Sequence, residues 1–190
     1  FDDHGFLQNA DKAATLVHLC GEGARYEQWK PDDSKIYTPD HARYLGPQLH
    51  KKGDTSIEAD IRVKNAWAAF YAHKNVWRCK RHNDAAFAGH AKVISYRFAM
   101  KNFHAVVVSH LVSGLASMVL SAKAYNMIAT AYYKMLRKIL GEKARRKKLM
   151  EDGTIKYEAL SNHEVCQVLQ TMSFTTLLRT RRLKFLQSMV

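Results

Sequence analysis

The sequence predicts a mainly α fold, a helical bundle with a small β-hairpin element at its N-terminal end. Three observations point there. Pro31, Pro39 and Pro47 are the only prolines and all precede residue 48, and proline breaks helices by removing an N–H and crowding the preceding turn. From Thr55 onward apolar residues recur at helical spacing, and two segment starts, Thr55/Glu58 and Ser161/Glu164, carry the capping-box pattern. The composition, 47% hydrophobic and 25% charged over 190 residues, is that of a globular chain long enough to bury a core without staples.

Residues 1–53 have little helical period. Two short strands are expected near Ala14–Cys20 and Ile36–Leu45, joined by a loop from Gly21 to Ser34. Gly21-Glu22-Gly23 lacks the helix-opening context of a phosphate loop and reads as a turn. Residues 54–190 form the second, basic helical region. Its first helix opens at Thr55 and runs to about Arg78, with Ile57, Ile61, Trp67, Phe70 and Tyr71 toward the core. A basic connector, Arg78–His90, leads to a second helical stretch over Ala91–Leu120, with Gly114 as the place for a kink. The third helix starts at Ser121 and carries Tyr125, Ile128, Tyr132, Met135, Leu136, Ile139 and Leu140 at helical spacing, with Gly141 as its stop. Five cations in six residues follow (Lys143, Arg145, Arg146, Lys147, Lys148), then a turn at Asp152-Gly153. A fourth helix begins at Ser161 with Val165, Val168, Leu169 and Met172 as its buried stripe. The last holds Leu177, Leu178, Phe185, Leu186 and Met189 between arginines, so it is expected to pack on one side and present cations on the other.

Charge is distributed unevenly. Residues 1–60 hold seven Lys/Arg against eleven Asp/Glu, a net −4, whereas residues 61–190 hold 23 against six, a net +17. Surplus like charge on a compact chain destabilises it unless a polyanion binds, which points first to nucleic acid and second to an anionic membrane or acidic protein. The cations fall in three clusters: Arg78, Lys80 and Arg81; Lys143, Arg145, Arg146, Lys147 and Lys148; and Arg179, Arg181, Arg182 and Lys184. Nothing marks a sequence-reading helix or an RRM-type stacking platform. Ala105–Ser121 is mostly apolar, but its 17 residues fall short of the ~20 that a spanning helix needs, so a buried core helix is expected. Cys20, Cys79 and Cys166 are odd in number and far apart, which argues against a disulfide framework and for a reducing compartment; the mitochondrial matrix would suit. The chain opens at Phe1 without a methionine, as a processed product or part of something longer would.

Five strings resemble, in order, a known family. Gly5-Phe6-Leu7-Gln8-Asn9 with Lys12 resembles the "GL.lN..K" segment that follows the catalytic palm in non-LTR (LINE-type) retrotransposon reverse transcriptases. Tyr44-Leu45-Gly46 is similar to the "YLG" that closes the hairpin there and opens the thumb. Leu111-Val112-Ser113-Gly114 resembles "LLYG", Leu136-Arg137-Lys138-Ile139-Leu140-Gly141 resembles "LRRILG", and Arg181-Arg182-Leu183-Lys184-Phe185-Leu186 resembles "RRLRWLG". The resemblance implies the end of a palm plus the thumb, a region that grips a primer–template duplex. Ala13 stands where the family has threonine, Ser113 where it has tyrosine and Phe185 where it has tryptophan. Those departures fit a copy no longer selected for polymerisation.

Phe1-Asp2-Asp3 has the letters of the family's "[YF]xDD" metal-binding turn, but the family sets that turn several tens of residues before the "GL.lN..K" string, and here Gly5 follows at once. Two-metal phosphoryl transfer also needs a further carboxylate from an upstream strand. No enzyme activity and no cofactor are therefore expected. Cys79/His82 and His163/Cys166 have zinc-pair spacings but stand 80 residues apart, so a structural site is not expected from them. The ten histidines form no pattern from which a triad can be argued. The functional expectation is a catalytically inactive, reverse-transcriptase-like fragment serving as an RNA-binding structural component of a large ribonucleoprotein, an organellar ribosome being the candidate. Its partners would be rRNA or other structured RNA and neighbouring proteins. Two alternatives stand beside it: the thumb of an active retroelement polymerase whose palm is missing here, and an accessory subunit of an organellar membrane complex.

Overall fold

A computed structural model of the protein describes residues 40–43, 47–50, 52–78 and 96–189. The chain is mainly helical with a small antiparallel hairpin ahead of its first helix. It divides into two units, Phe1–Glu58 and Ala59–Val190.

In the first unit, strand β1 (His41–Arg43) pairs antiparallel with β2 (Gln48–His50), in the register His41 to His50, Ala42 to Leu49 and Arg43 to Gln48. β1 falls within the strand expected over Ile36–Leu45, whose other residues apart from Asp40 lie outside the described residues, and β2 was not anticipated. The strand expected at Ala14–Cys20 and the loop after it lie outside the described residues. Gly53 turns the chain at φ +70°, a conformation that side chains with a Cβ rarely adopt, and its N–H donates to the His50 carbonyl at 2.8 Å. The Asp54 carboxylate then accepts the Ser56 N–H at 2.8 Å, satisfying an orphan donor at the start of a helix. Glu58 is buried, and its Oε2 accepts the Gln48 N–H at 2.7 Å.

Helix α1 (Ser56–Ala72) continues from there into the second unit and ends at a turn on His73, so the helix expected to reach Arg78 is two helices, the second being α2 (Lys74–Arg78). The core face of α1 also differs from expectation. Ala59, Ala66 and Phe70 are buried, whereas Ile57 and Tyr71 are exposed. Small residues let a neighbouring element approach closely, and a reading that weights large apolar residues misses them. Trp77 of α2 stacks on Phe70 with ring centroids 5.3 Å apart, and its indole N–H donates to the Phe70 carbonyl at 2.7 Å. Both rings meet Phe103 edge-on.

Phe103 lies in a continuous rod built from α3 (Tyr96–Asn102), a π-helical turn (Phe103–Val108) and α4 (Ser109–Val112). Gly114, at φ +72°, ends the rod rather than kinking it, and a 3-10 turn over Leu115–Ser117 follows. Val107, Val108, Leu111, Val112 and Leu115 are buried, so the apolar stretch Ala105–Ser121 contributes to the core. Among the described residues, no helix is long and apolar enough to cross a membrane.

Helix α5 (Ala122–Leu140) follows its sequence pattern closely. Ser121 caps it by accepting the Ala124 N–H at 3.2 Å, Ile128, Tyr132, Met135, Leu136, Ile139 and Leu140 are buried, and Gly141 ends it at φ +60°. Side chains of this kind stabilise by about 1.5–3 kcal/mol each when fully buried.

Beyond Gly141, in a region expected to be helical apart from the turn at Asp152-Gly153, the chain forms strands. A 3-10 turn (Gly141–Ala144) leads into strand β3 (Arg145–Leu149), which pairs antiparallel with β4 (Ile155–Ala159). Met150 and Thr154 continue the ladder through the Met150 N–H, which donates to the Thr154 carbonyl at 2.9 Å. Gly153 closes the turn at φ +79° by donating to the Met150 carbonyl at 3.0 Å, the left-handed glycine that three-residue hairpin loops favour. The Asp152 carboxylate accepts both the N–H and the hydroxyl of Thr154, at 2.9 and 2.6 Å, and these bonds hold its pKa below the ordinary value.

Helix α6 (Asn162–Leu169) has the full capping box that its sequence predicts: Ser161 Oγ accepts the Glu164 N–H and Glu164 Oε2 accepts the Ser161 N–H. Val165, Cys166 and Leu169 are buried; Val168 and Met172, expected in the stripe, are exposed. Helix α7 (Phe174–Gln187), capped by Ser173, buries only its first half through Phe174, Leu177 and Leu178. Leu183, Phe185, Leu186 and Met189 are exposed, so the one-sided packing expected of the last helix stops midway.

Candidate nucleic-acid interface

Among the described residues, the most cationic element is the β3–β4 hairpin. Every residue of both strands is exposed. Strand side chains alternate between faces, and the register assigns them: Arg145, Lys147 and Leu149 stand opposite Ala159, Tyr157 and Ile155 on one face, and Arg146 and Lys148 stand opposite Glu158 and Lys156 on the other. The ten residues carry five cations and one carboxylate.

That carboxylate is engaged within the second face. Arg146 Nε donates to Glu158 Oε2 at 3.0 Å, and its Nη1 reaches Glu164 Oε1 at 2.9 Å. Arg146 keeps the Glu158 carboxyl below its usual range. The Ser161 contacts do the same for Glu164, with Arg146 adding to the effect. Glu164 therefore caps α6 with one oxygen and holds the hairpin with the other. The hairpin's base is fixed independently. The Ala144 carbonyl accepts the Leu160 N–H at 2.9 Å, and Arg137 of α5 donates to the Leu160 carbonyl at 3.1 Å and to Asn162 Oδ1 at 2.7 Å. Of the predicted cluster, Arg146 thus braces the hairpin, while Arg145, Lys147 and Lys148 are displayed on it. Lys143, in the 3-10 turn before β3, sets its ammonium over the Tyr96 ring at 5.5 Å.

The third cluster lies on α7 and divides in the same way. Arg182 is half-buried and donates to the Met118 carbonyl at 3.0 Å. Arg179, Arg181 and Lys184 are exposed. Arg181 lies close enough to His104 to disfavour its protonation, adding to the larger effect of burial, so the His104 pKa is lowered. Of the first cluster, Arg78 closes α2, and Lys80 and Arg81 lie outside the described residues.

Tyrosines of α5 set the link between α6 and α7. Tyr132 Oη donates to the Met172 carbonyl at 2.8 Å, Tyr133 Oη accepts the Phe174 N–H at 3.2 Å, and Tyr125 Oη pairs with Thr175 Oγ1 at 2.6 Å. His104 Nε2 meets Thr171 Oγ1 at 2.8 Å from the α3–α4 rod. Burial pushes the Tyr132 and Tyr133 phenols upward, which keeps them neutral hydrogen-bonding groups. The core thereby fixes where the cationic face of α7 begins.

Several cations escaped the sequence reading. Lys156 stands directly opposite Lys148. Lys123, Lys134 and Lys138 share the exposed side of α5, where Lys123 and Lys134 line an open groove of about 530 Å³ with Val63, Trp67, Asn126 and Met127. Lys138 lies over the Tyr71 ring at 6.0 Å, and Tyr71 stacks on Trp67 at 5.5 Å. The signal was available: these lysines recur on the helical face opposite the apolar stripe.

For zinc, Cys79 and His82 lie outside the described residues, as do Phe1, Asp2 and Asp3. His163 and Cys166 line one groove with Tyr133 and Gln167. Burial pushes the Cys166 thiol up, disfavouring the thiolate that a metal needs, and its Sγ sits 3.7 Å from the Met172 carbonyl. Among the described residues, no group of three or more His, Cys, Asp or Glu side chains is placed to hold a metal ion. No family model matches the chain, and neither does any curated protein or solved structure.

Proposed function

We propose that the protein is a catalytically inactive, reverse-transcriptase-thumb-like component of a large ribonucleoprotein, an organellar ribosome being the candidate, and that it binds RNA through phosphates. One observation carries this reading: a hairpin with no buried side chain displays Arg145, Lys147, Lys148 and Lys156, while its single strand carboxylate is already engaged by Arg146. Ion pairing within the hairpin leaves most of that charge unneutralised, and phosphate is the ligand that neutralises closely spaced cations while releasing counterions. The exposed Arg179, Arg181 and Lys184 of α7 add to the same surplus, which reaches +17 over residues 61–190.

The test is equilibrium binding of the full chain to RNAs of unrelated sequence across a salt series. Sequence-independent affinity is expected, falling steeply between 50 and 200 mM salt, roughly a thousandfold or more if six or more phosphates are engaged. Absent RNA binding at low salt, or affinity insensitive to salt, would contradict the proposal.

A further inference from the structure

We infer that the face of the β3–β4 hairpin formed by Arg145, Lys147, Leu149, Ile155 and Tyr157 binds unpaired RNA nucleotides, with the Tyr157 ring as a stacking platform. The inference rests on the proposed RNA binding and narrows it to one face and one RNA class.

The two faces of the hairpin differ in kind. On the Arg146 face, charges answer one another through Glu158 and the hairpin is tied to α6 through Glu164. The other face has no carboxylate. Tyr157 stands there opposite Lys147, with Arg145 and Leu149 as its diagonal neighbours across the ladder, near enough for long side chains to act together. Tyr157, Ile155 and Leu149 remain 59%, 58% and 72% exposed. Lysines on exposed strands guard against edge pairing. That accounts for charge but not for an exposed aromatic and two aliphatic side chains on the same face, which mark an interaction surface. A partner that satisfies both must offer flat apolar area and negative charge at close spacing. An unstacked nucleotide does, since its base presents a π-face and its phosphate a charge a few ångströms away. Duplex RNA does not: its bases are stacked, and its major groove is too deep and narrow for side chains to read.

The experiment compares a single-stranded RNA with a fully paired duplex of equal length, using the full chain and its Tyr157→Ala and Tyr157→Phe variants, with circular dichroism to verify folding. Stacking predicts that Tyr157→Ala lowers single-strand affinity roughly 5- to 150-fold and leaves duplex affinity and the salt slope unchanged. Tyr157→Phe should retain single-strand affinity. If Tyr157→Ala binds single strands as the parent does, with salt-dependent RNA binding intact, this inference fails and the proposed function stands. If the parent binds neither RNA, both fail. A parallel arm uses vesicles of phosphatidylserine and phosphatidylcholine. Vesicle binding lost in Tyr157→Ala, with RNA binding unaffected, would assign the face to lipid and overturn the inference.

Discussion

Helix α5 and the β3–β4 hairpin are separated by only the four residues Gly141–Ala144, and both are cationic. They owe their places to opposite causes. In α5 a row of fully buried side chains, Ile128, Tyr132, Met135 and Leu136, ties the helix to the core, and its lysines ride on the outer face as a by-product of that patterning. The hairpin buries nothing on its strands and is held at its base by Arg137 and Leu160 and along one face by Arg146. An isolated two-stranded hairpin is marginal in water. Burial therefore explains α5, whereas the hairpin's side chains are exposed and take no part in this chain's own core.

The comparison can be broken most strongly by truncation. Leu136→Ala should destabilise the protein by about 2–5 kcal/mol, and Leu149→Ala in the hairpin should change stability by no more than about 0.5 kcal/mol. Denaturant midpoints of the two variants check this, and equal losses would mean that the hairpin is part of the core. A smaller effect is expected at the junction of the two regions. Ser161→Ala removes one partner of the capping box and should cost about 1 kcal/mol, seen as a lowered thermal midpoint.

The smallest global effect belongs to Arg146→Met. It should leave the unfolding midpoint near that of the parent but accelerate amide hydrogen exchange over residues 145–159, since local opening precedes global unfolding. Acid should act in the same sense. Arg146 holds the Glu158 carboxyl, and the Ser161 contacts the Glu164 carboxyl, below the ordinary glutamate value in the folded state. Their contribution is complete above that value and is lost as pH falls through the lowered folded values. Exchange over the hairpin should rise in that range before α5 responds. Protection that is lost in both together would deny the hairpin its separate anchoring.

How much of this was legible follows from the same contrast. The start, buried face and glycine stop of α5, and the capping box at Ser161, could be read because each is a local pattern with a direct structural consequence. The hairpin could not be read from β3, since a Lys/Arg run has no apolar alternation to set a period. The alternation Ile155-Lys156-Tyr157-Glu158-Ala159 and the Asp152-Gly153 turn were the available signals, and their weight appears only once β3 is paired with them. Tertiary context overrode pattern elsewhere. Ala59 and Ala66 hold core positions of α1 while Tyr71 faces out, and Cys166 is buried while Val168 is exposed. For the candidate site, the basic cluster before Asp152 was evident in composition, but the separation of Arg146 as a brace from Arg145, Lys147 and Lys148 as displayed charge required the geometry of Glu158 and Glu164.

The measurement that tests the central claim most directly is the salt dependence of RNA affinity in an Arg145→Glu, Lys147→Glu, Lys148→Glu variant, with Arg146 retained so that the hairpin stays braced. Circular dichroism and a denaturant midpoint establish that the variant is folded, and Lys51→Glu, Lys52→Glu in the acidic segment serves as the control. If these three cations contact phosphates, affinity for single-stranded RNAs of unrelated sequence should fall alike, and the slope of log affinity against log salt should flatten by about 2, with the control unchanged. A folded triple variant with the parent's affinity and slope would contradict the account and leave the displayed charge of β3 without a role in RNA binding.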